Sequence, residues 1–241
     1  MTKFFITTFN KRLYDDYANH FIRSYIQTKP IIPLTCYIEE SKDNYPQHPL
    51  ITYINLFEVM PKLVEFKERN KHRPVTSFYE DAIKFSHKVF AQAHASLQNE
   101  KFIWLDADNV FVKPWTELVF DNFILDSIFT RYYERQAQYT ECGILGFNST
   151  KIDISKKFFE IYLGYYLTDK IYSLVHKTDC HAFDETRKQM AGVSGYKGIP
   201  AGDGKAGHII ARDLTFGQYI DHKKGKRKYK KHSPEWERNY R

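Results

Sequence analysis

Residues 101–115 have the sequence KFIWLDADNVFVKPW, in which an apolar run leads directly into Asp106-Ala107-Asp108. Two carboxylates one residue apart repel each other, so they need a cation between them or water around them. Side chains two positions apart on a strand lie on the same side, and we therefore expect Asp106 and Asp108 to approach one ion from one face. Hard divalent cations bind carboxylate oxygens and commonly hold substrate phosphates as well. The alternative is an ordinary turn, because Asp-Asn and Lys-Pro are good turn formers.

The segments on either side of this stretch alternate between strand and helix patterns. Residues 3–9 and 32–38 are rich in β-branched and aromatic residues and predict buried strands, while residues 13–27 between them carry an apolar helical stripe. A further strand is predicted at 142–147. This alternation indicates an α/β fold with a mostly parallel central sheet. Ligands of such sheets bind beyond the carboxyl ends of the strands, which is where we expect the Asp-x-Asp segment to lie.

Three longer helices are predicted outside those segments. We expect residues 51–71 to be helical, with a break at the internal proline. Residues 77–98 carry an apolar face at helical spacing, with Ser77 and Glu80 as the expected capping box. Residues 154–168 predict a long aromatic helix.

The composition limits the class of protein. The 241-residue chain is 42% hydrophobic, which is enough for one full core. No apolar run approaches the roughly 18 residues of a membrane-spanning helix, and the N-terminus has no long apolar region of the signal-peptide kind. Three cysteines without close spacing, Cys36, Cys142 and Cys180, indicate reduced thiols and exclude a zinc ribbon. We therefore expect a cytoplasmic protein without a transmembrane segment.

The net charge of +7 is concentrated at the C-terminus. Residues 223–241 hold nine basic and two acidic side chains, so the two signs balance in the remaining chain. From the charge pattern alone, this tail is either a solvated surface segment or a phosphate-binding segment. Aromatic residues alternate with the basic ones, a combination that can also follow a nucleic-acid backbone and stack bases.

One enzyme class with this local pattern is the haloacid-dehalogenase-type phosphatases. The segment FIWLDADNV fits their apolar strand and Asp-x-Asp, with Asp106 as the nucleophile. Their nucleophile strand usually opens the domain, whereas Asp106 follows a long stretch of α/β pattern. The segment GDGKAG at 202–207 also lacks the second acid of their later acidic motif. This class is kept as the alternative.

A second motif appears near the C-terminus, in the segment YIDHKKGKRK at 219–228. His222, Gly225 and Lys228 form the pattern His-x-x-Gly-x-x-Lys. Together with the Asp-x-Asp, it resembles the C-terminal signature of family-8 glycosyltransferases, the glycogenin and lipopolysaccharide sugar transferase group. The segment ECGILGFN at 141–148 resembles the strand that lines the sugar and acceptor pocket of that family. The resemblance implies the GT-A fold, a Rossmann-like nucleotide-diphospho-sugar transferase fold.

The resemblance also implies a ligand set. Asp106, Asp108 and His222 would bind Mn²⁺ or Mg²⁺, and Lys228 would bind the diphosphate of a nucleotide-sugar donor. The resemblance implies that this donor is a UDP-sugar. The residues implied in binding this donor are Thr8, Asn10, Lys88, Asp106, Ala107, Asp108, Gly225 and Lys228. Two carboxylates and an imidazole suit manganese and tolerate magnesium.

The catalytic carboxylate is sought in the segment KTDCHAFDETRKQM at 177–190. By resemblance an acidic residue here would lie beside the anomeric carbon, and we expect Asp184 first and Asp179 second. Either aspartate could instead cap a helix. Glu141 stands where the family commonly has an asparagine, so the stereochemical outcome stays open.

The resemblance implies one GT-A domain over residues 1–241. Its expected parts are a nucleotide-binding half at 1–110, an acceptor half at 111–222 and the basic tail at 223–241. The expected activity is transfer of a hexosyl or pentosyl group to a glycan, to a lipid-linked acceptor on an anionic membrane surface, or to a hydroxymethylated base in DNA. A non-enzymatic nucleic-acid-binding domain is the third class considered.

Overall fold

The computed structural model describes most of the chain. Described are residues 2–135, 138–191, 195–199, 208–225, 228 and 232–240, without the side chains of residues 235 and 238. The GDGKAG segment that bears on the phosphatase alternative, and most of the basic run in the tail, lie outside these ranges. None of the helices in the described ranges has the length and apolar character that crossing a lipid bilayer requires.

A seven-stranded sheet forms the centre of the molecule. The described strands, seven in this sheet and two in a separate pair, are β1 (Lys3–Thr8), β2 (Leu34–Ile38), β3 (Ile51–Asn55), β4 (Lys101–Leu105), β5 (Asn109–Phe111), β6 (Thr130–Tyr133), β7 (Glu141–Asn148), β8 (Tyr196–Ile199) and β9 (Ile220–His222). The sheet order is β3-β2-β1-β4-β7-β6-β8, and β5 pairs separately with β9. In the sheet only β7 is antiparallel to its neighbours, β4 and β6, among the described strands. The predicted α/β fold with a mostly parallel sheet is confirmed.

Helices cover both faces of this sheet. They are α1 (Lys11–Leu13), α2 (Asn19–Gln27), α3 (Leu56–Val59), α4 (Pro61–Asn70), α5 (Ala82–Ser96), α6 (Glu117–Phe123), α7 (Ile152–Leu167), α8 (Asp179–Gln189), α9 (Ile209–Arg212) and α10 (Pro234–Tyr240). A π-helical turn at Tyr14–Ala18 joins α1 to α2. The predicted helical segments at 13–27 and 154–168 are therefore confirmed within a few residues.

Two of the helix predictions need correction. Residues 51–55 are not helical but form β3, which pairs in parallel with β2. Their β-branched and aromatic side chains favour an extended chain, and the neighbouring strand supplies the hydrogen bonds that periodicity within the segment does not reveal. The helix predicted at 77–98 begins later than expected, because α5 starts at Ala82. Asp81 caps this helix, and its side chain accepts a hydrogen bond from the Lys84 amide. Ser77 makes no side-chain cap bond, so the proposed capping box is wrong.

The alternation of side chains along the central strands divides the core into two layers. Phe102 and Trp104 of β4 face one apolar cluster, which includes residues from α5, α7 and α8. Ile103 and Leu105 face the other, which includes residues from α2 and α6. Because both faces of β4 are buried, its residues from Phe102 to its last residue, Leu105, are all apolar, while the buried Lys101 at its start pairs with Asp126.

This arrangement collects the ends of several segments at one edge of the sheet. β1, β2 and β4 are parallel, so their carboxyl ends meet there. β7 runs the other way, so its first residues lie beside the end of β4, and the Asp106 amide donates to the Gly143 carbonyl at 2.9 Å. Polar side chains that follow β4 or begin β7 are therefore neighbours.

Truncating the aromatic centre of β4 should destabilise the fold. Phe102 is fully buried and its ring lies 5.1 Å from the ring of Phe147. We expect Phe102→Ala to lower the free energy of unfolding by about 3–5 kcal/mol, because it removes buried area and leaves a cavity. Urea denaturation followed by circular dichroism measures this loss. The control is Leu118→Ala, at a side chain that is 69% exposed. Equal losses in the two variants would contradict this description of the core.

Candidate functional site

The two aspartates of the Asp-x-Asp segment lie in a turn rather than on a strand. β4 ends at Leu105, and β5 begins at Asn109. The turn is closed by Asn109, whose amide and side-chain nitrogens both donate to the Asp106 carbonyl, at 3.0 and 2.7 Å. Strand alternation is therefore the wrong reason for expecting the carboxylates on one side. The turn and its tertiary contacts bring them together instead.

The partner of this turn comes from the far end of the chain. β9 pairs antiparallel with β5, so that Asn109 stands opposite His222. His222 Nε2 lies 3.0 Å from Asp108 Oδ1 and 4.0 Å from Asp106 Oδ2. One ligand atom from each of the three residues lies within 4.8 Å of the others. The structure thus brings together the three residues expected to bind a metal ion.

The donor set at this position fits a divalent cation. Carboxylate oxygens with one imidazole nitrogen suit manganese and accept magnesium. His222 is buried, and its Nδ1 has no hydrogen-bond partner among the described atoms. A cation on Nε2 requires the proton on Nδ1, and Glu141 Oε1 lies 3.9 Å from that atom. A carboxylate behind a metal-binding histidine is a common arrangement.

Lys228 approaches the same carboxylate from the tail. Its Nζ lies 3.0 Å from Asp108 Oδ2 and 3.9 Å from the centre of the Tyr17 ring. Burial raises the pKa of Asp108, but His222 and Lys228 lower it more, so the pKa falls well below its ordinary value. Gly225 has a φ of 61°, in the left-handed region that favours glycine. The tail therefore turns at Gly225 between the two predicted ligand-binding residues.

Lys88 connects Asp106 to a second carboxylate. Its Nζ lies 2.7 Å from Asp106 Oδ1 and 2.8 Å from Asp179 Oδ2, and donates to the Cys142 carbonyl at 2.9 Å. Burial lowers the pKa of Lys88, but the two carboxylates raise it more, so the pKa is well above its usual value. The buried ammonium remains charged and holds the two carboxylates on either side of it.

The two candidate catalytic aspartates have different surroundings. Asp179 is the one linked to Asp106, through Lys88. Asp184 accepts hydrogen bonds from the Thr140 amide at 2.9 Å and from Arg187 at 2.6 Å. The bond from Thr140 ties α8 to the residue immediately before Glu141, and the bond from Arg187 lies within α8.

Thr8 and Asn10, predicted to hold the nucleoside, lie at the end of β1. Thr8 Oγ1 donates to the Tyr37 carbonyl at 2.9 Å, and Asn10 Oδ1 accepts from the Leu13 amide at 3.0 Å. The Thr8 side chain thus ties the end of β1 to β2, and the Asn10 side chain caps the start of α1. Their edge of the sheet is the one that carries Asp106, and their contact with a nucleoside stays a prediction.

A buried cluster around Glu141 was not predicted from the sequence. Glu141 accepts from the Gly143 amide at 2.8 Å, from His208 Nε2 at 3.0 Å and from Lys224 Nζ at 2.7 Å, and Arg135 Nη1 lies 3.3 Å away. Burial lowers the pKa of His208 to about 4. The neutral imidazole therefore donates Nε2–H to Glu141. The available signal was a glutamate that opens a strand whose next six residues, 142–147, include no charged side chain.

Comparisons with known proteins identify solved structures that have a similar fold. No protein-family model matches the sequence, and no curated protein matches it. Among solved structures, the chain is similar to mouse xyloside xylosyltransferase 1 in its apo form, with a TM-score of 0.53 and 12% identity, covering 83% of this chain and 85% of that one. It is also similar to the apo structure of the WbbM bifunctional glycosyltransferase, with a TM-score of 0.50 and 11% identity. That match covers 93% of this chain and 46% of the other, so this chain spans a little under half of that protein. The fold is a glycosyltransferase fold.

Manganese binding should depend on the turn aspartates. We expect Asp106→Asn and Asp108→Asn each to weaken binding of Mn²⁺ by more than roughly tenfold, since even loss of a group that only hydrogen-bonds to a metal ligand costs about 10–100-fold. The measurement is the electron paramagnetic resonance signal of free Mn²⁺ during titration. Asp15→Asn is the matched control, because Asp15 is exposed and pairs with Lys11 on α1. Unchanged binding in both turn variants, or an equal loss in the control, would contradict a metal site here.

The Glu141 cluster should make stability depend on pH in the acid range. Burial raises the pKa of Glu141, but His208 and Lys224 lower it more, so its folded-state pKa lies well below 4.5. Its contribution to stability is therefore complete above the unfolded pKa and is lost as pH falls toward the folded pKa. We expect Glu141→Gln to cost roughly 1–3 kcal/mol near neutral pH, because it removes the buried charged acceptor that pairs with the partly exposed Lys224 and Arg135 and accepts from His208.

The experiment compares urea denaturation of Glu141→Gln and of the native protein at about pH 7 and about pH 3. The difference between the two proteins should be smaller at the acid pH. Glu160→Gln, at an exposed position of α7, serves as the control and should change little at either pH. A difference that grows in acid would show that Glu141 is not held ionised by its neighbours.

Proposed function

We propose that this protein is a metal-dependent GT-A glycosyltransferase, related to family 8, that transfers a hexosyl or pentosyl group from a UDP-sugar. The observation that carries the proposal is the assembly of Asp106, Asp108 and His222 within 4.8 Å of one another. Lys228 lies against the same carboxylate. Asp108 and His222 are 114 residues apart in the chain, so chance clustering of acids on one loop does not explain the set.

The proposed roles follow from charge. A divalent cation on the three ligands would bind the donor diphosphate and stabilise the charge that develops on it. Lys228 is placed to supply a second positive group to the leaving diphosphate. Gly225 allows the tail to turn over the donor, and Ala107 contributes the small backbone segment between the two carboxylates.

Asp179 is proposed as the carboxylate beside the reacting sugar. It is buried, it begins α8, and Lys88 holds it next to Asp106. A fixed carboxylate near the leaving group can orient the sugar and stabilise positive charge at the anomeric carbon. Asp184 as the reacting residue remains a prediction. Its bonds with Thr140 and Arg187 favour a positioning role for the start of β7.

The donor-binding half at 1–110 and the acceptor half at 111–222 are kept as a proposed division of one domain. β9 pairs with β5 at the junction of these parts. The acceptor is proposed to be a glycan, with a modified base in DNA or a lipid-linked acceptor as further hypotheses that depend on the basic tail. The phosphatase and the non-enzymatic nucleic-acid-binding alternatives have no comparable support from the fold.

Calorimetric titration of UDP tests the proposal. We expect UDP to bind in the presence of Mn²⁺ and not in its absence, and His222→Ala to remove this dependence. Lys228→Ala should weaken binding roughly 10–100-fold, because a charged hydrogen bond contributes about 1.5–3 kcal/mol. Lys113→Ala is the control, since Lys113 is exposed and contacts Gln218.

Two outcomes would count against the proposed function. If UDP binds equally well with and without Mn²⁺, Asp106, Asp108 and His222 do not bind a metal ion that the donor requires. If UDP fails to bind in either condition, phosphomonoester hydrolysis that is abolished by Asp106→Asn would favour the phosphatase alternative instead.

A further inference from the structure

Two of the three cysteines lie together beside the candidate site. Cys142 is fully buried in β7, and Cys180 is half-buried in the first turn of α8 next to Asp179. The Cys180 thiol lies 3.8 Å from Asp179 Oδ1. One ligand atom from each of these three residues lies within 4.8 Å of the others. The thiols come from segments that are far apart in sequence, so only folding brings them together.

The chemistry of this cluster differs from that of the metal-binding residues proposed above. Asp106, Asp108 and His222 offer hard oxygen donors and one nitrogen, which suit Mn²⁺ or Mg²⁺. Two thiolates are soft donors, and a set of two thiolates with one carboxylate selects zinc and its heavier analogue cadmium over those ions. Sugar transfer as proposed here uses Asp179 but neither thiol, so that function leaves the two cysteines unexplained.

We infer that Cys142, Asp179 and Cys180 form a second cation site, which takes a soft divalent ion of the zinc class. Binding replaces the two thiol protons, which are released to solvent as two S–metal bonds form. Asp179 supplies the third ligand, and the fourth tetrahedral position is open to water or another small ligand. No oxidation or reduction takes place.

Lys88 links this second site to the first. Its ammonium lies between Asp106 and Asp179, at 2.7 and 2.8 Å. A cation that binds Asp179 competes with Lys88 for the same carboxylate, because the two positive charges repel each other. Occupation of the thiol site should therefore disengage Lys88 from Asp179 and disturb the contact that positions both carboxylates. The existence of the site does not depend on the proposed glycosyltransferase activity.

Titration with Cd²⁺ under a phosphine reductant tests the inference. Cadmium–thiolate bonds absorb in the ultraviolet, which reports the thiols directly and needs no enzyme assay. We expect absorption that saturates at one equivalent in the native protein. Cys142→Ala and Cys180→Ala should each lose at least half of it. Cys36→Ala is the matched control, because Cys36 is also fully buried but lies in β2, and it should keep the full signal.

A second measurement covers the case in which Cys142→Ala fails to fold. In the native protein, Cd²⁺ should protect Cys180 from iodoacetamide, as measured by peptide mass spectrometry, and Mn²⁺ at the same concentration should not. Asp179→Asn keeps both thiols and should weaken this protection. The inference is overturned if native protein shows no thiolate absorption, if Cys36→Ala loses the signal as the other variants do, or if Mn²⁺ protects Cys180 equally.

Discussion

The candidate site depends on the antiparallel pairing of β5 with β9. Each strand has three residues, yet their pairing sets His222 opposite Asn109 and lets the Lys223 amide donate to the Asp108 carbonyl at 3.0 Å. Asp221 of β9 holds this pair in place. Its side chain is fully buried and accepts hydrogen bonds from both the amide and the hydroxyl of Ser233, each at 2.6 Å. Without this contact, neither the histidine nor the tail lysine would reach the aspartates.

Charge pairing explains why so many ionised groups can lie together in this region. A buried charge is costly unless an opposite charge and hydrogen bonds accompany it. Asp108 is paired with Lys228, and Lys88 contacts two carboxylates at once and offsets one of their two negative charges. Glu141 is surrounded by donors on several sides. The lysine ammonium groups thus lie next to the same carboxylates that a metal cation would bind. The anionic donor would add negative charge to this region.

The same pairing couples neighbouring functions. Lys88 contacts Asp106, which belongs to the hard-ligand set, and Asp179, which belongs to the thiol cluster. Glu141 lies behind His222 and pairs with the partly exposed Lys224 of the tail. A change at any one carboxylate therefore alters the electrostatic balance of its neighbours, and effects of substitutions in this region should not be additive.

The sequence by itself determined most of the strand and helix alternation of the first half and the location of the acidic segment directly after a buried strand. Those features are local: β-branched and aromatic runs form strands such as β1, and apolar residues at helical spacing form helices such as α7. The resemblance of His222 and Lys228 to a known signature named two further site residues. Local periodicity misassigned 51–55, because the stability of β3 comes from its neighbour β2. It also placed the Asp106–Asp108 pair on a strand, whereas the pair lies in a turn.

Tertiary structure alone decided which distant groups meet. Arg135, His208 and Lys224 converge on Glu141, and Cys142 approaches Cys180, without any spacing pattern in the chain that indicates these contacts. The physical reason is that strand direction and sheet order bring segment ends to one edge. β7, running against its neighbours, carries Glu141 and Cys142 to the end of β4. Local sequence specifies each element, but hydrogen bonding between elements specifies where their ends come together.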